Sequence, residues 1–214
     1  MLAISAMNIF WLGVITDGGV EADARKCAES HCDKHVVKMI LELAQLLCTA
    51  VSVCDYDGDQ VPLEHFSDPS IPKTYKNTHW KHPCAVAVRK YPDVYRKTAH
   101  LLLELCKEYT RRYDGRTHAT EALARGLFAH PPKNFRLAEE YVKEDVCEGA
   151  LGGSRVPLCM PKQYWTKRAG KFCAVSSYRK YYVEDKYKAG IVKYKTGNEP
   201  KWLKEAIRQL NASP

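Results

Sequence analysis

The alternation of hydrophobic and polar positions along the chain predicts a mostly α-helical protein. The strongest helical pattern begins at residue 21 or 22 and ends near residue 51, with a possible break near Ser30. Its second half is apolar almost all round, so we expect that part to be buried. A polar stripe nevertheless runs along it at the spacing of one helical face, and contains His35, Lys38, Glu42 and Gln45.

Weaker patterns predict further helices separated by loops. Prolines at positions 92 and 200 fit the first turn of a helix. Residues 8–14 are typical of a short strand or an extended segment, while 55–78 and 129–166 are rich in loop-forming residues. The predicted helices span residues 83–90, 92–113, 117–127, 174–194 and 201–210. We therefore expect a single compact helical domain over residues 1–214, with long loops and little or no sheet.

The charge balance of the chain favours a polyanionic partner. It has 33 lysines and arginines against 25 aspartates and glutamates, which is a net charge of +8, and its isoelectric point is about 8.9. Such an excess of positive charge predicts binding to nucleic acid, with DNA as the first candidate. The alternative is a basic enzyme that has no such partner.

Composition also bears on the cellular compartment. No run of eighteen apolar residues occurs, so no membrane span is expected. The apolar start of the chain lacks the basic region of a signal peptide. Nine scattered cysteines, an odd number, are most simply reduced thiols. These features predict an intracellular protein, located in the cytoplasm or, for a viral protein, in the cytoplasm or nucleus of the host cell.

The polar stripe carries the first candidate chemistry. An imidazole, an ammonium and a carboxylate on a buried helix indicate a catalytic carboxylate, Glu42, tuned by His35 and Lys38. The alternative is purely structural. In that interpretation Lys38 and Glu42 form an ordinary ion pair four residues apart, and His35 is a core histidine with satisfied hydrogen bonds.

Metal binding is a second possibility raised by the same region. Cys27, His31, Cys32 and His35 offer four ligand types within nine residues, but their spacing is not that of a zinc finger. His79 and His82 add two weaker candidates. We expect neither a metal nor a cofactor, and the spacing leaves zinc binding by the first four residues open.

Aromatic and basic residues alternate in the helix predicted after residue 174. Such a surface can neutralise phosphates while its rings stack on exposed bases. The alternative is an amphipathic helix whose tyrosines lie partly in the core and whose lysines are solvated. The candidate nucleic-acid-binding residues are His82, Arg89, Arg112, Tyr178, Arg179, Tyr181, Tyr182 and Lys186.

The segment Asp33-Lys34-His35, followed by Glu42-Leu43, resembles the helix motif of the phage-type pyrimidine-dimer DNA glycosylases, also called endonuclease V. In that family an Asp-x-His opens a helix and an essential glutamate follows seven residues after the histidine. The tyrosine- and lysine-rich stretch 178–186 is similar in amino-acid composition to the family's tail. The whole chain is also similar to small uncharacterised phage and viral proteins, through its blocks 31–42, 82–84 and 178–182.

The resemblance implies a DNA glycosylase that acts on damaged or modified bases, with or without abasic-site lyase activity. Glu42 would stabilise the positive charge that develops at C1′, and His35 would orient the sugar or move a proton. The family uses the amine of an N-terminal threonine, whereas this chain begins Met1-Leu2. Three alternatives follow: the amine of the methionine itself, no amine chemistry at all, or Lys38, which is the candidate within the chain if burial lowers its pKa.

Two other functions remain open at this point. One is an enzyme that modifies a base or nucleotide without excising it, using the same Glu42 pocket. The other is a basic nucleic-acid-binding module without catalysis. For either enzyme acting on duplex DNA, aromatic side chains such as Trp80, Tyr181 and Tyr182 are candidates to fill the space left by a flipped base.

Overall fold

A computed structural model describes residues 8–13, 19–56, 58–135, 156–168, 170–195 and 197–212, with only the backbone for residues 19–22. The prediction of a mostly α-helical protein is confirmed. Among the described residues the only sheet pairs two short antiparallel strands, β1 (Lys167–Arg168) and β2 (Lys171–Phe172). The α-helices are α1 (Gly19–Ser30), α2 (Asp33–Val51), α3 (Pro83–Lys90), α4 (Pro92–Arg112), α5 (Glu121–Ala129), α6 (Ala174–Tyr181) and α7 (Lys201–Ala212).

Helix α2 lies at the centre of the fold and packs against α3, α4 and α5, while α1 packs against α4. Its buried face includes the fully enclosed side chains of Met39, Ile40, Leu43 and Leu47. Burying each such side chain contributes about 1.5–3 kcal/mol, so this helix organises the core. The predicted break near Ser30 is confirmed, because the backbone leaves helical geometry at His31 and Cys32 before α2 begins.

Helix α2 is not buried on every side, contrary to the expectation from its apolar composition. Val37 and Leu41 are 39% and 41% exposed, and Lys34 is exposed beside them. Neighbouring elements cover the rest of the helix but leave this stripe open. Within the polar stripe, His35 and Glu42 are buried, whereas Lys38 and Gln45 are half-buried. The stripe therefore lies along the border between core and surface.

The stretch Asp33–Tyr56 combines α2 with a following π-helical turn. In length and composition it could cross a membrane, and it is the one such stretch in the described part of the chain. Inside the protein, 72% of its most apolar window is buried. Since the core helix of a globular protein has the same properties, this finding is weak evidence for a membrane span.

The last third of the chain departs from the predicted helix over residues 174–194. Helix α6 ends at Tyr181, continues as a π-helical segment, Tyr182–Tyr187, and then turns at Gly190, where φ is +70°. The chain beyond the turn binds the start of α2: the Lys193 carbonyl accepts from the Asp33 N–H at 3.1 Å. This tertiary contact requires the chain to leave the helix early.

Helix α5 begins at Glu121 rather than at residue 117, and its N-cap is Thr120. The predicted loop 55–78 covers this helix and is partly buried, because Phe66 and Ile71 are 6% and 4% exposed. A Cβ atom on Gly126 would lie 2.5 Å from Ile71 Cδ1, so the helix and loop meet closely there. Of the second predicted loop, residues 136–155 lie outside the described residues.

The N-terminal segment 8–12 is extended, as predicted, and no strand is assigned to it. Its side chains Ile9, Phe10, Trp11 and Leu12 are buried in the core. This segment lies against α2 and α6, as the ring contacts of Phe10 with His35 and Tyr178 show. Residues far apart in the chain therefore meet along the polar stripe.

Candidate functional site

Glu42 is a buried carboxylate with one paired and one unpaired oxygen. Its Oε1 atom lies 3.0 Å from Lys38 Nζ, one helical turn away. The side chain is 11% exposed, and Oε2 is buried without a hydrogen-bond partner in the described structure. Buried polar atoms normally find partners, so an unpaired carboxylate oxygen beside an open stripe of helix surface is a candidate contact for a ligand.

Burial raises the pKa of Glu42 above its ordinary value. The hydrogen bond and charge of Lys38, the backbone N–H of Asn8 and the charge of His79 oppose that rise but do not cancel it. Since folding favours the neutral acid, holding Glu42 ionised at neutral pH costs stability. Carboxylates whose pKa is shifted in this way cluster at functional sites.

His35 lies on the same face of α2 as Glu42, in an aromatic cage formed by Phe10 and Tyr182. Its ring centroid is 4.9 Å from that of Phe10 and 5.2 Å from that of Tyr182. Its Nδ1 atom is buried with no hydrogen-bond partner among the residues that the structure describes. Burial, together with the charges of His31 and Lys38, lowers the pKa of His35 to about 3. The imidazole is therefore neutral at physiological pH, and it can accept or pass a proton but does not act as a cation.

We expect the stability of the protein to fall on acidification because of two neutral buried histidines. Burial lowers the pKa of His31 to about 4 and that of His35 to about 3, from 6.5 when exposed. Below pH 6.5 both histidines bind a proton in the unfolded chain but stay neutral in the folded protein. The free energy of unfolding therefore falls from pH 6.5 down to about 4. Each histidine contributes at most about 1.4 kcal/mol per pH unit.

Urea unfolding of the wild type and His35→Gln at pH 7.5, 6 and 5 measures this effect. The variant should lose less stability than the wild type between pH 7.5 and 5. Equal losses in the two proteins would show that His35 does not titrate as its burial implies.

Lys38 is ion-paired and partly exposed. Its side chain is 37% accessible, and its ammonium holds the Glu42 carboxylate. The strong desolvation that the sequence suggested for Lys38 is therefore absent. To act as a nucleophile, this amine must first lose its proton and give up the ion pair.

Tyr181 and Lys186, two of the predicted nucleic-acid-binding residues, lie close to the rings around His35. The Tyr181 ring is parallel to that of Phe10, with centroids 6.0 Å apart, and Lys186 Nζ is 4.5 Å from the Tyr181 centroid. Although burial opposes it, hydrogen bonds with Tyr181 and Asp185 raise the pKa of Lys186. A half-buried tyrosine and a cation thus border the aromatic cage.

A further aromatic side chain, Trp80, is carried by the turn that precedes α3. Trp80 is 54% exposed, the largest exposed ring among the described residues, and Lys81 Nζ lies 4.9 Å from its centroid. The preceding residue, His79, has φ of +48°, and its charge lowers the pKa of Glu42. From the sequence Trp80 is only a ring that could fill a vacated space, because its exposure is not predictable from the local pattern.

Three of the predicted nucleic-acid-binding residues are buried and serve internal contacts. The Tyr178 hydroxyl donates to the Pro157 carbonyl at 2.7 Å, and the Tyr182 hydroxyl accepts from the Cys32 N–H at 2.7 Å. Arg89 is buried and donates to the Trp80 carbonyl. In this conformation these side chains are inaccessible to DNA, although Arg89 supports the loop that presents Trp80.

Arg112 is the centre of a buried ion-pair network that joins α4 to the start of α2. Its guanidinium lies 3.0 Å from the Asp33 carboxylate, donates to the His31 carbonyl at 2.8 Å and pairs with Glu108. Only 2% of its side chain is exposed. Arg112 therefore stabilises the interior of the fold and is not part of a phosphate-binding surface.

The remaining predicted contacts, His82 and Arg179, are half-buried. His82 caps α3, with Nδ1 accepting from the Cys84 N–H at 3.2 Å. Arg179 donates to the Leu12 carbonyl at 2.9 Å and lies over the Trp202 ring at 4.7 Å. Of the two, Arg179 borders a cleft.

The four residues considered for zinc do not converge on one point. The Cys27 sulfur bonds the Leu12 N–H and the Phe10 carbonyl, while Cys32 points to the Ile191 carbonyl at 3.8 Å. His31 Nδ1 lies 2.8 Å from the Cys27 carbonyl. Each side chain thus serves a different internal contact.

A cleft of about 770 Å³ is not lined by Glu42. The cleft lies between α1 and the start of α7. Glu42 lies on α2, about 14 Å along the helix axis from the first residue of α2. We place the candidate active site at Glu42 because the unpaired carboxylate is there. The cleft is a separate basic surface, and its charged and aromatic lining comprises Lys26, Glu29, Arg111, Arg179, Lys201 and Trp202.

Comparison of the chain with protein families, with curated proteins and with solved structures found no match. The function must therefore be argued from the site itself.

Proposed function

We propose that this protein is a DNA glycosylase-like enzyme that acts on damaged or modified bases, with Glu42 as its catalytic carboxylate. The observation that carries the proposal is the buried, unpaired Oε2 atom of Glu42, next to the open stripe of α2. The spacing of His35 and Glu42, on which the resemblance to the pyrimidine-dimer glycosylases rests, supports it as well.

The chemistry needs a carboxylate in a poorly solvated place. Breaking an N-glycosidic bond creates positive charge on the sugar, and a nearby carboxylate stabilises that charge. The effect is larger where water is excluded, as around Glu42. The ammonium of Lys38 favours the ionised form of Glu42, and the neutral His35 accepts or passes a proton in the same region.

A lyase step is a second, separable part of the proposal. Lys38 is the amine nearest to Glu42, and attack on C1′ would give a Schiff base that permits strand cleavage. Because its ammonium is paired with Glu42, the amine becomes free only after substrate disturbs that pair. Base excision itself does not depend on this step.

Surface charge supports DNA as the substrate. The chain has a net charge of +8, and four cations against one carboxylate line the cleft between α1 and α7. The exposed Trp80, with Lys81 over its ring, is suited to stack on a base or to occupy the space of a flipped one. DNA binding of this kind should weaken as salt concentration rises.

An activity screen tests the proposal. Duplexes carrying single damaged or hypermodified pyrimidines are incubated with the wild type and with Glu42→Gln, and released bases are identified by mass. Alkali-labile sites that form with wild type alone would support excision, and borohydride trapping on abasic DNA would support the lyase step.

Other results would favour the other functions. A changed base mass without release indicates a base-modifying enzyme that uses the same pocket. Salt-dependent binding to every duplex, with no chemical change in any of them, indicates a binding module and overturns the proposal.

A further inference from the structure

His82, Cys84 and Cys159 form a cluster outside the site described above. One ligand-type atom from each side chain lies within 4.8 Å of the other two, and the two sulfurs are 3.4 Å apart. Cys84 is buried, while His82 and Cys159 are half-buried. The cluster joins the start of α3 to the segment before β1, which is 75 residues away in the chain.

We propose that His82, Cys84 and Cys159 bind one zinc ion. Zinc takes thiolate and imidazole ligands tetrahedrally, at about 2.3 Å from sulfur and 2.0 Å from nitrogen. Two sulfurs on one zinc are then about 3.8 Å apart, so the observed pair needs to separate by only a few tenths of an ångström. The two sulfurs are too far apart for a disulfide, whose S–S bond is about 2.05 Å.

The chemistry of the ligands favours zinc over harder ions. Two sulfurs and one imidazole suit a borderline-soft cation and do not suit magnesium or calcium, which prefer oxygen. Binding converts two thiols to thiolates, releases two protons to solvent and forms two zinc–sulfur bonds and one zinc–nitrogen bond. If His82 binds through Nδ1, its capping bond to the Cys84 N–H is replaced.

The surroundings of Cys84 favour its protonated thiol when no metal is bound. The hydrogen bond with Cys159 and burial raise the pKa of Cys84 well above its ordinary value. The charge of Glu42 acts in the same direction, which places that carboxylate near the cluster. A divalent cation reverses this balance, because it stabilises both thiolates and the neighbouring carboxylate.

Three protein ligands leave the fourth position of a tetrahedral zinc for an exchangeable ligand. Water or the unpaired Oε2 of Glu42 is chemically suited to that position. The three ligands would thus tie the start of α3 to the segment that carries Cys159, close to Glu42.

Cobalt titration tests the site without relying on catalytic activity. The full-length protein is reduced, stripped of metal with a chelator and titrated with Co²⁺. We expect one cobalt per chain, with a thiolate-to-cobalt charge-transfer band and the intense visible bands of tetrahedral coordination, all displaced by one equivalent of Zn²⁺.

Matched variants locate the ligands. Cys159→Ser and His82→Asn should weaken zinc binding by about a hundredfold or more. Cys173→Ser is the control, because Cys173 is a free thiol at the N-cap of α6, outside the cluster, and serine suits that position. It should bind cobalt as the wild type does.

Two results would overturn the proposal. One is a reduced wild type that takes up no cobalt. The other is undiminished binding by both ligand variants. Circular dichroism of each variant confirms that the fold is retained, so loss of binding is not mistaken for unfolding.

Discussion

Replacing Glu42 by glutamine is expected to reduce base excision by about 10²–10⁴-fold while leaving the protein as stable as the wild type or more so. Glutamine has nearly the same shape, but it cannot stabilise positive charge on the sugar. Since burial raises the pKa of Glu42, removal of the charge relieves a cost of folding, although it also removes a partly exposed ion pair with Lys38. Single-turnover excision and thermal unfolding measure the two effects.

The matched control for this change is Glu104→Gln. Glu104 is also a buried glutamate paired with a lysine on its own helix, Lys107, but it lies on α4 and belongs to no candidate site. Its replacement should leave excision unchanged. If Glu42→Gln were instead strongly destabilised and its folded fraction fully active, the polar stripe would be a structural network and not an active site.

Replacing Arg112 by methionine is expected to destabilise the protein by about 3–5 kcal/mol, because it leaves buried carboxylates without their partner. Asp33 and Glu108 both pair with this guanidinium, and their side chains are 12% and 4% exposed. Asp33 keeps its bond from the Lys195 N–H, and Glu108 keeps Arg111. For a protein of this length the loss corresponds to a fall in melting temperature of roughly 10 °C.

Arg111→Met provides the comparison on the same helix. Arg111 also pairs with Glu108, but 51% of its side chain is exposed, so its loss should cost less than about 1 kcal/mol. Urea unfolding of both variants gives the difference directly. Equal stabilities of the two variants would mean that the buried network contributes no more than a surface ion pair.

Hydrophobic periodicity predicted where the helices lie. It could do so because the apolar face of an amphipathic helix is set by the spacing of residues within that one segment. Pro83–Lys90 forms α3 with the predicted bounds, and Pro92 occupies the first turn of α4. The end of α6 and the start of α5 were predicted wrongly. Helix α6 stops early because the chain beyond it binds Asp33, and α5 starts late, at Glu121.

The candidate site was predictable only in part, for the same reason. Helical spacing alone brings Lys38 and Glu42 together, and they do form an ion pair. The backbone of Asn8, the ring of Phe10 and the charge of His79 also shape the site, but they come from segments whose approach no local pattern encodes. The Cys84–Cys159 contact depends on the fold in the same way.

By itself, therefore, the sequence determined the helical class, the central helix and the one face on which its polar groups lie. The tertiary structure alone decided which of those groups lose water and which find partners. Glu42 keeps an unpaired oxygen, His35 is held neutral among rings, and Arg112 is enclosed by carboxylates. Desolvation and pairing depend on every neighbour in space, so they appear only once the chain has folded.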